Sequence, residues 1–146
     1  MARFVYPSRT DLELFVGAIL KGHNPIEKFL PSTGEAWLST VSDCIAYVAA
    51  TDDYAAPGSF LDAAARLLYK CVKKHELADG NKRSAVIAVY LFALLNDYEV
   101  KNPEDLKRIA KGVASTKGRA NEGAVCARLA TNLSGCLMPL RLAEAA

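Results

Sequence analysis

The sequence carries almost no net charge: 18 Lys and Arg against 16 Asp and Glu leave +2 over 146 residues. So small a surplus argues against general nucleic-acid binding through the field of the whole molecule, and any cationic function must come from local clustering. Paired cysteine motifs are missing as well. Cys44, Cys71, Cys126 and Cys136 are widely spaced, include no CxxC, and fall in apolar stretches, so they read as buried thiols and not as a metal site. No secretory signal is visible at the start, and a reducing cytoplasm is the expected compartment. Long apolar runs are absent too: the longest, Val86 to Leu95, is about half the ~20 residues of a membrane span. No convincing period-two alternation, internal repeat or low-complexity segment occurs. With 51% apolar or small and 23% charged residues, the composition is that of a globular protein, and residues 1–146 are expected to form one domain around one core.

What is present is helical periodicity. Thr10-Asp11-Leu12-Glu13 has a capping-box pattern, and Leu12, Phe15, Val16, Ile19 and Leu20 lead to a stop at Gly22, which predicts a first helix. Ser32-Thr33-Gly34-Glu35 looks like a second box before Trp37, Leu38, Val41, Cys44, Ile45 and Val48, a second helix. Ser59 can cap a third, with Leu61, Ala64, Ala65, Leu68, Cys71 and Val72 on one face and an end near Lys74. A fourth runs from about Asn81 to Asn96 and is apolar almost all round, so it belongs in the centre of the bundle. Asn102-Pro103-Glu104-Asp105 supplies a cap, a first-turn proline and two acids for a fifth helix that fades near Ser115. Asn121 to Leu133, with Gly135 behind it, makes a sixth. The expected fold class is all-α.

Between the third and fourth helices, Lys73-Lys74-His75-Glu76-Leu77-Ala78-Asp79-Gly80-Asn81-Lys82-Arg83 concentrates cations, acids and a glycine. Lys82 and Arg83 stand in the first turn of the central helix, where the macrodipole already presents positive charge, so they run against the usual preference. A bound anion resolves the conflict. Phosphate oxygens can accept from the backbone N–H groups after Gly80, with a bidentate contact from Arg83 and a point charge from Lys82. Asp79 at the mouth of this cradle can hold Mg²⁺ against phosphate or serve as a plain helix cap. His75 can take a hydroxyl proton near neutral pH or be merely structural.

This stretch resembles the motif HxFx(D/E)(G/A)N(G/K)R of the Fic/Doc (Fido) superfamily, and Asn81-Lys82-Arg83 resembles its death-on-curing (Doc) branch. Phe60-Leu61-Asp62-Ala63-Ala64-Ala65-Arg66-Leu67-Leu68-Tyr69 and the run from Ser84-Ala85 to Asn96-Asp97-Tyr98 are similar to that branch too, so the likeness covers roughly Phe60 to Ala114. It implies a Fido-type bundle of about six helices, with a buried central helix after the HxxxDGNKR loop. It further implies His75 as general base, Asp79 as Mg²⁺ ligand, Gly80 and Asn81 as the anion cradle, and Lys82 and Arg83, with Lys73 as a weaker candidate, on the nucleotide phosphates. The implied activity is that of a toxin of a toxin–antitoxin system, moving phosphate from ATP to a Ser or Thr hydroxyl of a cytoplasmic target such as elongation factor Tu. A Phd-like antitoxin would restrain it, because the self-inhibitory motif (S/T)xxxE(G/N) of some Fic proteins is absent. The Asn24 to Ser32 region would suit the target-docking flap of such proteins.

Two departures bear on the activity. Glu76 and Leu77 replace the usual Pro and Phe, which leaves a catalytically weak binding module as one alternative. Val86 stands where AMP-transferring Fic members carry a second Arg, which favours phosphate transfer over the other alternative, AMP transfer. Of the remaining conspicuous residues, His23 reads as solvated and Trp37 as core. Lys107, Arg108, Lys111, Lys117, Arg119 and Arg128 read as solvated helix faces.

Overall fold

One helix is sunk in the protein from its second turn onward. In the computed structural model, α4 (Gly80–Leu95) buries Ser84 through Val89 and again Leu91 to Ala93, as expected for a helix with no polar stripe. Of its apolar side chains Leu94 departs furthest from the all-round reading, at 41% exposed, and Tyr90 and Leu95 are half-buried. The described residues are 4–22, 25–30, 36–52, 57–73, 80–115 and 122–140. Among them the other α-helices are α1 (Arg9–Gly22), α2 (Ala36–Ala50), α3 (Phe60–Lys73), α5 (Pro103–Ala114) and α6 (Glu122–Leu133), with a short 3-10 helix at Pro25–Phe29. The expected all-α architecture is therefore realised with six α-helices among the described residues.

α3 packs most extensively on α4 and also receives α6, α2 and α5, while α5 lies on α4. Small side chains line these contacts: Ala63, Ala64 and Ala65 on α3 and Ala85, Ala88 and Ala93 on α4 are fully buried, which lets helix axes approach closely. On α3 the expected Ala64, Ala65, Leu68, Cys71 and Val72 are buried, and further residues join them. Phe60, Ala63 and Leu67 are buried, whereas Leu61 is only partly so, because α3 has neighbours on several sides and its covered arc is wide. Trp37, Leu38, Val41, Cys44, Ile45 and Val48 are all buried on α2 as their spacing predicts. The buried side chains form one cluster running from Leu12 to Leu137.

The caps explain where helices begin. Asn102 Oδ1 accepts from the Glu104 N–H at 3.0 Å with Pro103 in the first turn, and Ser59 Oγ accepts from the Asp62 N–H at 3.1 Å. For α1 the cap is not Thr10. Ser8 Oγ accepts from the Asp11 N–H (3.1 Å) and the Ser8 N–H donates to Asp11 Oδ2 (2.9 Å), a reciprocal box two residues earlier. The capping box proposed at Ser32 to Glu35 lies outside the described residues, as does Asn121, the expected start of the sixth helix.

Tyr98–Val100 (β1) and Leu137–Pro139 (β2) form a two-stranded antiparallel ribbon, with Glu99 opposite Met138. This is an addition to the purely helical reading. The ribbon closes the C-terminal end of α4: Asp97 turns the chain in the left-handed region (φ 60) and its carbonyl accepts from the Leu140 N–H at 2.8 Å. Asn96 Nδ2 donates to the carbonyls of Val5 and Phe92, both at 2.8 Å, while its Oδ1 accepts from the Val5 N–H at 2.9 Å. Anchored there, α4 presents its N-terminus at its other end.

Candidate functional site

The central helix reaches the surface within its first turn. Arg83 is exposed and Lys82 half-buried, whereas Ser84, the next residue, is already 4% exposed. No acid stands in that first turn, so nothing on the helix itself neutralises the N-terminal N–H groups or the two cations. The rest of the axis is enclosed by apolar side chains, which keep water from screening the helix field along its length. An anion at Gly80 and Asn81 would meet backbone N–H groups, a dipole and two side-chain cations at once.

On the other flank, α3 ends at the half-buried Lys73. Residues 74–79, which contain His75, Glu76, Leu77 and Asp79, join the two helices and lie outside the described residues. The structure thus brings Lys73, Gly80, Asn81, Lys82 and Arg83 to the two helix ends that bracket the segment, and places neither His75 nor Asp79. Val86, one turn beyond Arg83, is fully buried in the core. Among the described residues no group of three His, Cys, Asp or Glu side chains is arranged to hold a metal.

Part of the segment expected to dock a target, Pro25–Phe29, is packed down as the 3-10 helix. Ile26 and Phe29 are in the core, and Lys28 pairs with Glu104 on α5 and lies over the Phe29 ring at 5.4 Å. His23, Lys117 and Arg119 fall outside the described residues, while Trp37 is core as expected. Arg108 is exposed and bonded to Asp105 at 2.9 Å.

A polar cluster that the sequence does not signal lies between the N-terminal segment, the end of α2, and α3. Tyr6 donates its hydroxyl to Asp52 Oδ1 at 3.1 Å, and Asp52 is buried. Arg66 Nη2 donates to Thr51 Oγ1 at 2.9 Å, and its buried Nη1 has no hydrogen-bond partner among the described residues. Burial first, and then the Asp52 carboxyl, push the Tyr6 hydroxyl well above the ordinary tyrosine range. Beside this cluster a cavity of about 420 Å³ is lined by Tyr47, Thr51, Arg66, Lys70, Glu122 and Cys126. There Lys70 pairs with Glu122 at 2.9 Å, and the hydrogen bond it donates to Glu122 raises the lysine above its usual value. Burial pushes the Cys126 thiol up to about 11, so it stays protonated at neutral pH and is no nucleophile. Cys126 is half-buried, while the other three cysteines are buried as expected. A second cavity, of about 510 Å³, opens between α5 and α6 and is lined by Arg108, Ile109, Val113, Val125, Arg128 and Leu129. Lys82 and Arg83 line neither cavity.

Three comparisons extend this picture. The family model described as the Fic/DOC family matches residues 10–93, more than half of the chain, from α1 to near the end of α4 and including all of His75 to Arg83. Comparison with curated proteins gave no match, and comparison with solved structures gave none. No helix among the described residues is long and apolar enough to cross a membrane.

Proposed function

Because this chain belongs to the Fic/DOC family, whose Fido domains transfer phosphate-bearing parts of nucleotides to proteins, we propose that it is a Doc-like phosphotransferase that moves the γ-phosphate of ATP to a Ser or Thr hydroxyl. The observation that carries this reading is the first turn of α4. Lys82 and Arg83 stand there with no acid in the same turn, and the position one turn on, where AMP-transferring members have an arginine, is the fully buried Val86.

In this reading the backbone of Gly80 and Asn81 and the side chains of Lys82 and Arg83 hold the phosphates, with Lys73 at the far flank. His75 takes the proton of the target hydroxyl as its oxygen attacks the γ-phosphorus. The bond from that phosphorus to the β–γ bridging oxygen breaks, and ADP leaves. Asp79 is the residue that would hold Mg²⁺, which neutralises phosphate charge when bound. Transfer of this kind asks the protein for positioning and charge more than for covalent chemistry, and these residue types supply both.

The target we propose is a cytoplasmic translation protein such as elongation factor Tu, whose modification would block translation. Restraint would come from a separate Phd-like antitoxin. The experiment is incubation with a bacterial lysate and ATP labelled at either the γ- or the α-phosphate. Label reaching a protein from γ-labelled ATP only, and only with His75 present, supports phosphate transfer. Label from α-labelled ATP replaces this reading with AMP transfer. Label from neither replaces it with a catalytically weak binding module, the reading that Glu76 and Leu77 would then favour.

A further inference from the structure

Cys44 on α2 and Cys71 on α3 are 27 residues apart in sequence, yet their sulfurs meet at 3.5 Å, with the Cys71 thiol directed at Cys44 Sγ. Both side chains are buried, at 5% exposure each, in the core where α2 lies against α3. Among the described residues no other two cysteine sulfurs are in contact. An S–H···S contact is a weak hydrogen bond, so helix packing and not the contact itself holds the sulfurs together. A disulfide brings sulfurs to about 2.05 Å, which leaves a closure of about 1.5 Å to be met by side-chain rotation and a small helix shift.

We propose that Cys44 and Cys71 are an oxidative modification site, which peroxide converts to an intramolecular disulfide tying α2 to the last turns of α3. The thiolate of one cysteine attacks a peroxide oxygen, the O–O bond breaks, and a sulfenic acid and hydroxide result. The second sulfur attacks the sulfenic sulfur, the S–S bond forms, and the sulfenic oxygen leaves as water. In balance, two thiols and one hydrogen peroxide give one disulfide and two waters; sulfur is oxidised and peroxide oxygen reduced. The other two thiols are disfavoured for this chemistry. Among the described residues neither Cys126 nor Cys136 makes a sulfur–sulfur contact like that of Cys44 with Cys71, so neither has a partner placed to trap a sulfenic acid.

The position gives the bond a consequence. Cys71 stands two residues before Lys73 and four before His75, so the cross-link restrains the helix that delivers the candidate site, whichever group that site transfers. It also closes a loop containing the connection between α2 and α3, and so restricts the unfolded chain more than the folded one. Burial makes the reaction slow, since peroxide must enter through local opening.

The test is to treat the full chain with hydrogen peroxide, quench it by alkylation, and map it without reduction. The expected result is loss of two hydrogen atoms, about 2 Da, and one linked pair of peptides holding Cys44 and Cys71. The thermal midpoint is expected to rise by about 5–10 °C and to return with dithiothreitol. Cys126→Ser should behave like the unaltered chain, and either Cys44→Ala or Cys71→Ala should abolish both the link and the rise. A link to Cys126 or Cys136, a covalent dimer, oxygen adducts without a link, or an unmodified native chain would each overturn the proposal. The peptide map of the unaltered protein decides the matter even if the alanine variants fail to fold.

Discussion

The hydroxyl of Tyr6 donates to the buried carboxyl of Asp52 across 3.1 Å, while the Tyr6 ring stacks on Phe92 with centroids 4.5 Å apart. The N-terminal segment thereby bridges the end of α2 and the last turn of α4. Phe92 is also enclosed by Phe60, at 4.8 Å between centroids, so one aromatic stack couples the segment to α3. Since α3 and α4 carry the two flanks of the candidate site, the stack is part of what fixes their relative position.

Removing the hydroxyl tests that coupling. Tyr6→Phe keeps the ring but leaves the buried Asp52 carboxyl without this donor, and should lower stability by about 1–2 kcal/mol. Its pH dependence has a definite sign. Because the Tyr6 hydroxyl is held above its ordinary value, its contribution is complete below about pH 10 and is lost as pH rises further. Urea midpoints of the unaltered chain should therefore fall more steeply above about pH 10 than those of Tyr6→Phe. Parallel slopes would remove Tyr6 from the account of alkaline unfolding.

The cap at Asn102 offers a purely local test. Asn102→Ala removes the acceptor for the Glu104 N–H and is expected to lower stability by about 1 kcal/mol, seen as a lower urea midpoint with the same slope. Transferase activity should be unchanged, because the cap acts only on the first turn of α5.

Position 86 separates the two transfer chemistries structurally. Val86 is fully buried, so Val86→Arg forces a guanidinium into the core and is expected to lose about 3 kcal/mol or more without gaining AMP transfer. A variant with unaltered thermal midpoint would show that the side chain at 86 can reach solvent or nucleotide.

Arg83 should behave in the opposite way. It is exposed, so Arg83→Ala ought to change stability by no more than about 0.5 kcal/mol. Loss of its phosphate contacts should reduce transfer by roughly tenfold to a hundredfold, a loss of about 1.5–3 kcal/mol. Arg83→Lys restores charge without the bidentate fork and should recover only part of the rate. Kinetics beside thermal melting distinguish this from a merely structural arginine.

Features contiguous in sequence were the legible ones. Asn102-Pro103 and Ser59 mark their helices because a cap acts within three residues, and α4 announces its burial by having no polar face. The α1 cap was displaced because Ser8 and Thr10 are both plausible acceptors, and only the Ser8–Asp11 pair closes reciprocally. The ribbon escaped notice since Tyr98–Val100 and Leu137–Pro139 are three residues each, too short to show a period, and each is a strand only by virtue of the other. Tyr6, Asp52 and Arg66 come from three separate segments, as Cys44 and Cys71 come from two, so no local pattern announces either meeting. The charged start of α4 was legible for the contrary reason: Gly80 to Arg83 form one uninterrupted turn, whose unusual charge at a helix N-terminus is visible in the sequence itself.

The most direct measurement is intact-mass analysis of the proteins in a translating bacterial lysate, incubated with this protein, Mg²⁺ and ATP, beside the same lysate given His75→Ala. The expected result is one protein that gains the mass of a single phosphate with the unaltered chain and gains nothing with His75→Ala. A gain of one AMP, a gain that survives His75→Ala, or no gain on any protein would contradict phosphate transfer by this site.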